Sequence, residues 1–274
     1  MLTRAIRKHV ILTCISVALV FVIAFSAFAD MLLPEASGEK VKIDGSLTVD
    51  CSHMNDGYIM AKAQKSSKKL KVRIKTSGAT LNYDLNGDGE FEVFPLQFGS
   101  GKYQVSLYKN VSGKKYSEEG KVSMNVDMDD ENKCFLYPNQ YVPYSADTAA
   151  VVKASELCAG MTDAKQIFMA IRGFVESYFA YDYVKMVTVK AGQMPDIDGT
   201  WEKQLGICQD LAAVTVAMLR SQGVCAKMVI GTVGGNSYHA WVNVLIGGEW
   251  ILYDPTAELN ASSKNEIYTT ERYY

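Results

Sequence analysis

The sequence predicts a β-sandwich in its first half and a mixture of helices and strands in its second. Two observations carry this. Between Val41 and Asp129 apolar residues recur with a period of two, the signature of half-buried strands. From Ala149 onward they recur at helical spacing, and the chain then reaches a hairpin signal at Gly247-Gly248. Composition agrees. Of 274 residues, 48% are hydrophobic and 21% charged, which excludes a disordered, collagen-like or all-coiled-coil chain. A formal net charge of −2 leaves no basic excess for nucleic acid.

The first 29 residues stand apart from the fold. Arg4, Arg7 and Lys8 are their only charges, an uncharged run follows from Val10 to Ala29, and Ala27-Phe28-Ala29 places small residues where a signal peptidase reads them. This predicts a signal peptide cleaved after Ala29. The alternative is an anchor over residues 10–29, long enough to span a bilayer. Both place the remainder outside the cytoplasm, since the positive end stays inside. Cys14 sits in a poor lipobox context and is not expected to carry lipid.

Residues 30–40 are an exported N-terminal segment and 41–129 the sandwich, with roughly six to eight short strands. Leu70, Val72 and Ile74 alternate with lysines and arginine. Leu81, Tyr83 and Leu85 repeat the pattern, as do Phe91 and Val93, then Tyr103, Val105 and Leu107, then Val122, Met124 and Val126. Asp84-Leu85-Asn86-Gly87-Asp88-Gly89-Glu90 resembles the start of a calcium loop, but its twelfth position is Pro95 instead of the bidentate Glu. A hairpin turn is the simpler reading. The basic run Lys65, Lys68, Lys69, Lys71, Arg73 and Lys75 suits an anionic wall or surface polymer; the simpler reading is a solvated sheet face, with lysines protecting an edge.

Residues 130–147, with Pro138 and Pro143, read as a linker. A helix is expected over Ala149–Ala159, ended by Gly160. Thr162 and Asp163 open a second, running to about Phe179 with Ile167, Ile171, Phe174, Val175 and Tyr178 as its apolar stripe. Residues 184–206 read as irregular. A helix follows over Leu211–Gln222, then strands over Val224–Val233, Tyr238–Ile246 and Glu249–Thr256. No internal repeat, phosphate-binding Gly-rich loop or zinc spacing is visible.

Beyond residue 29 the chain keeps Cys51, Cys134, Cys158, Cys208 and Cys225, an odd number, so at least one thiol is free or pairs between chains. Only His53 and His239 can serve as a histidine base. Cys208 falls at the start of a helix, where free N–H groups and the helix dipole favour a thiolate. The small Gly206 lets another chain approach the sulfur. If Gly247-Gly248 is a two-residue loop, paired positions place Asp254 opposite Trp241 and His239 opposite Thr256. His239 and Asp254 are then diagonal neighbours on one face. One imidazole nitrogen can bind the carboxylate and the other the Cys208 proton. His53 is the weaker base, with no carboxylate implied beside it.

At these residues the chain resembles the transglutaminase-like superfamily, a branch of the papain-like cysteine enzymes. Gly206-Ile207-Cys208, His239-Ala240-Trp241 and Asp254-Pro255-Thr256 match its three motifs in order and spacing, over roughly residues 148–257. The resemblance implies an α+β fold with the nucleophile's helix packed on an antiparallel sheet, and a catalytic domain over 148–274. It implies Cys208 as nucleophile, His239 as base and Asp254 as orienting acid. Family members also carry an oxyanion donor before the cysteine. Trp201, Gln204 and Gln209 match no diagnostic position, and the Cys208 N–H is the candidate. No metal or cofactor is expected. The implied reaction is acyl transfer on peptide or carboxamide bonds through a thioester. Exported bacterial members look more protease-like than crosslinking, so a peptidase or amidase comes first. A transglutaminase joining Gln to amines, and a non-catalytic cell-surface binding module, are the alternatives. The partner is a peptide or protein substrate.

Overall fold

The structure, a computed structural model, describes residues 31–260 and 266–274. The expected signal peptide or anchor, the expected cleavage site after Ala29 and Cys14 lie outside the described residues. Among the described residues no helix is long and apolar enough to cross a membrane.

Eight strands form two four-stranded antiparallel sheets in the N-terminal region. β1 (Val41–Asp44), β2 (Leu47–Asp50), β3 (Tyr58–Ala63) and β6 (Glu92–Pro95) make one. The other is ordered β5 (Thr80–Leu85), β4 (Leu70–Lys75), β7 (Gly101–Ser112), β8 (Lys115–Val126). β7 and β8 are each 12 residues long, so the strands are not uniformly short. The expected alternation is what buries the core: Val72 pairs with both Tyr83 and Leu107, and all three are at most 1% exposed. Each such side chain contributes about 1.5–3 kcal/mol by leaving water. Tyr83 meets Phe94 of the facing sheet edge-on at 5.3 Å, closing the sandwich.

Three readings in this region need correction. Phe94 of β6 and Leu96 just beyond its end are the buried apolar positions, one out of phase with Phe91 and Val93. Those two pack instead on a separate cluster with Tyr58, Met60 and Tyr137. Both faces of β6 meet apolar surface, which hides its phase. The segment 84–90 is not a hairpin, because β5 and β6 lie in different sheets. It is a connection between sheets, and Asp84 is engaged by Lys71 at 2.6 Å. Finally, β4 is no edge: β5 and β7 flank it, and Arg73 binds Asn82 at 2.9 Å and Tyr108 at 3.2 Å.

Residues 130–147 are more than a linker. Cys134, Phe135, Tyr137, Val142 and Tyr144 are buried, and a 3-10 turn covers Lys133–Leu136. Arg220, 1% exposed, ties this segment to the C-terminal region, donating to the carbonyls of Tyr137, Ala226 and Tyr274 at 2.7–2.8 Å.

The C-terminal region holds α1 (Ala149–Leu157), α2 (Ala164–Tyr178), α3 (Tyr183–Thr188), α4 (Ile197–Lys203), α5 (Cys208–Ser221) and α6 (Pro255–Leu259). Its sheet is ordered β13 (Glu249–Tyr253), β12 (Ser237–Ile246), β11 (Ala226–Val233), β14 (Tyr268–Tyr273), all antiparallel. A short parallel pair joins β9 (Ala180–Tyr181) to β10 (Leu205–Gly206). Asp163 caps α2, accepting from the Gln166 N–H at 2.9 Å. Of its expected stripe Ile167, Ile171 and Val175 are buried, joined by Phe168, while Phe174 and Tyr178 are partly buried. Residues 184–206 are not irregular: Asp182 and Asp196 cap α3 and α4. Their Asx caps carry the signal that hydrophobic periodicity misses in helices of six and seven residues. α5 is buried from Asp210 to Ser221 and lies on β11 and β12, so it is apolar on nearly every side. Mixed helices and antiparallel sheets, with the cysteine-bearing helix on a sheet, make the chain α+β.

Candidate active site

Cys208 is the first residue of α5. The residue before it, Ile207, is extended and has no side chain to cap the helix. Asp210 takes over: its Oδ2 accepts from the Ile207 N–H at 3.1 Å. Asp210 is fully buried and also receives Lys185 Nζ of α3 at 2.7 Å. The N–H groups of Cys208 and Gln209 have no partner within the helix and face its first turn outward. Gly206 is small for another reason than expected. A Cβ there would meet Thr200 and Asp210 at 3.0 Å, so the close approach is of α4 and α5 rather than of a chain over the sulfur.

The hairpin register is as computed. Ile246 pairs with Glu249 and Val242 with Tyr253. The ladder stops there, earlier than expected. Pro255 cannot donate to a ladder and instead starts α6, with Asp254 as its cap. The Asp254 carboxylate is saturated. Oδ1 accepts from the N–H groups of Thr256 at 2.9 Å and Ala257 at 3.1 Å. Oδ2 lies 2.7 Å from His239 Nε2 and accepts from the Tyr268 hydroxyl at 2.8 Å. With Nε2 so engaged, Nδ1 is the nitrogen left to serve Cys208, which lines the same cleft as His239 and helps raise its pKa. The structure therefore brings Cys208, His239 and Asp254 together.

The electrostatics follow from these contacts. Burial pushes the His239 pKa down, but the hydrogen bonds and charges of Asp254 and Cys208 outweigh it and hold it at about 10. Burial pushes Asp254 up, while His239, Tyr268 and the Ala257 N–H bring it below the usual carboxylate value. The five cysteines from Cys51 onward are all free. Burial raises the Cys134 thiol to about 12 and those of Cys158 and Cys225 to about 11, and raises Cys51 as well. These four are inert by position. Cys208 is the one that lines the cleft.

That cleft has a volume of about 590 Å³. Cys208, Gln209 and His239 line it together with residues of the 186–195 segment. His53 is elsewhere, on the turn before β3. It has a carboxylate that pairing did not imply, Asp56 at 3.1 Å. Trp201 packs among Phe174, Tyr178 and Phe179. Gln204 ends α4 in a left-handed conformation, φ 56°. Gln209 reaches the Gln193 carbonyl at 3.1 Å. Two residues escaped the sequence reading. Asp210, three residues into the helix, carries a capping signal that could have found it. Tyr268 carries none, because it arrives on β14 from outside the motifs. Among the described residues no group of three or more His, Cys, Asp or Glu is placed to hold a metal.

Residues 153–255 match the family model described as the transglutaminase-like superfamily. Over that stretch the chain is similar to the superfamily. The chain is also similar to an uncharacterised protein of Mycobacterium leprae (strain TN), 30% identical over 150 residues. The match covers 50% of this chain and 47% of the relative, so the chain spans about half the length of the curated protein it matches. Among solved structures, a proposed cysteine protease from Cytophaga hutchinsonii is 15% identical, with 86% of this chain and 90% of that one covered and a TM-score of 0.40. Red sea bream transglutaminase is 14% identical, with 72% of this chain and 47% of that one covered and a TM-score of 0.27.

Proposed function

We propose that the protein is an exported cysteine acyl-transfer enzyme that cleaves peptide or carboxamide bonds, with Cys208 as nucleophile, His239 as base and Asp254 as the group that orients it. The His239–Asp254 hydrogen bond, with His239 and the helix-start Cys208 lining one cleft, is the observation that supports this reading most. With the His239 pKa held at about 10, Nδ1 already carries the proton drawn from the thiol, and the sulfur freed of it bonds to the carbonyl carbon. The resulting oxyanion is met by the free N–H at the start of α5. Collapse breaks the C–N bond, and the imidazolium gives its proton to the departing amine. Water then attacks the thioester with His239 accepting its proton, the C–S bond breaks, and the thiol is restored. Asp254 keeps the ring in one tautomer and balances the imidazolium.

Hydrolysis comes before transamidation because water needs no seat of its own. The test is to incubate the full chain with peptide amides, with and without a primary amine, and follow acyl adducts on Cys208 by mass spectrometry. An adduct that forms on Cys208 and is lost in Cys208→Ala and His239→Ala supports the reading. Amine incorporation exceeding hydrolysis would move the assignment to a transglutaminase. Alkylation of Cys208 at equal rates in the wild type and His239→Ala, with no adduct, would overturn catalysis and leave the binding-module alternative.

A further inference from the structure

The cleft is charged unevenly. Lys190 and Arg272 line it, and no Asp or Glu does among its described lining residues. The rest of the lining is mostly apolar or aromatic, including Met186, Met194, Met228 and Tyr141. Asp254 and Asp210 are buried behind the site and spent on His239 and Lys185.

The position of Arg272 follows from register. Ile230 of β11 pairs with Ala240 of β12 on one side and with Arg272 of β14 on the other. All three line the cleft, so one cross-strand row makes its floor. Neighbouring strands lie about 4.8 Å apart, which puts the Arg272 backbone roughly 10 Å from the strand carrying His239. An extended peptide advances about 3.3–3.6 Å per residue, so that span is two or three residues. The guanidinium is half-buried. Its NH2 group binds the Tyr238 hydroxyl, its NH1 lies 3.4 Å from the exposed Glu271 carboxylate, and its plane lies 5.8 Å from the Tyr238 ring. Tyr274, whose ring stacks on Tyr141 at 3.5 Å, also contacts it. An arginine braced by tyrosines is pre-organised to meet a carboxylate, and among the described residues the carboxylate it touches is an exposed neighbour of little strength.

We propose that the cleft selects acidic peptide substrates, with Arg272 as counter-ion to a carboxylate two or three residues from the carbonyl that Cys208 attacks, and Lys190 adding charge to the cleft lining. This rests on the reading of Cys208 as the nucleophile. The carboxylate is a Glu or Asp side chain or the free end of a peptide. Arg272 acts in binding and touches no reacting atom.

The probes are chloroacetyl peptides that alkylate Cys208, in pairs differing only by Glu against Gln two or three residues away, plus a pair with a free or amidated C-terminus. The full chain is used, and the second-order labelling rate at Cys208 is read by mass spectrometry. We expect a Glu or free-carboxylate probe to label at least 10-fold faster than its neutral partner. The faster pair identifies the source of the charge. The ratio should fall towards 1 in Arg272→Gln, be partly kept in Arg272→Lys, and shrink in the wild type between 0.05 and 0.5 M salt, a readout that needs no variant to fold. Equal rates for both pairs in the wild type would overturn the proposal. Iodoacetamide separates the two readings. Labelling of Cys208 that depends on His239, with no acid preference, would leave the catalytic site standing and remove the acidic subsite. Labelling that ignores His239 would remove the nucleophile first.

Discussion

Oδ2 of Asp254 binds His239 Nε2 at 2.7 Å while Oδ1 of the same carboxylate caps α6. One side chain thus couples the imidazole to a helix end. Asp254→Asn should keep most of the cap but present an amide to the ring. We expect kcat/KM on a cleaved peptide to fall by about 10²–10⁴ with thermal stability little changed. Asp254→Ala should add a loss of about 1 kcal/mol from the missing cap. Calorimetry beside the kinetics separates the two.

Tyr268 supplies the fourth hydrogen bond to that carboxylate. Its removal in Tyr268→Phe should raise the Asp254 pKa, since the bond favours the charged form. The acid limb of the activity profile should move to higher pH, and kcat/KM should fall by about 10-fold, the size of one hydrogen bond to a charged group.

The pair also sets a pH window for stability. The His239 pKa is raised to about 10 in the fold, against about 6.5 unfolded. Its contribution is therefore complete below about pH 6.5 and is lost as pH rises through 10. Asp254 is lowered, so its share is present above about pH 3.9 and lost as pH falls through its folded value. Urea unfolding at pH 6, 8 and 10 should show the wild type losing more stability than His239→Ala. Parallel slopes would contradict this.

Lys185 and the fully buried Asp210 hold α3, and with it one wall of the cleft, to the start of α5. Lys185→Met leaves a buried carboxylate without its cation and should cost about 3 kcal/mol. Hydrogen exchange should rise first over residues 183–196, ahead of global unfolding.

Arg220 joins residues 130–147 to the C-terminal sheet through three carbonyls. Arg220→Lys keeps the charge but cannot span all three. The expected loss is about 2–4 kcal/mol, measured by denaturant unfolding, with the two halves melting at separate temperatures.

Much of this architecture was legible because local rules suffice for it. Period-two alternation set the faces of β4, β5, β7 and β8, and Asp163 announced α2. Gly247-Gly248 set a register that brought His239 and Asp254 to one face, since residue pairing in a two-residue hairpin follows from counting. Cys208 was marked by its place at the start of a helix. Four features needed the tertiary structure. β6 has apolar neighbours on both sides, so its phase was ambiguous. The 84–90 segment crosses between sheets, which no turn residue reports. Proline at position 255 left Tyr253 as the last residue of the ladder and turned Asp254 into a helix cap. Tyr268 and Arg272 reach the site only because β14 adds to the far edge of β11, a contact between positions about 40 residues apart in the chain. Nearby residues obey propensity and periodicity, which the sequence states directly. Distant ones meet only where burial of the sheet edge brings them, and that depends on the whole packed fold.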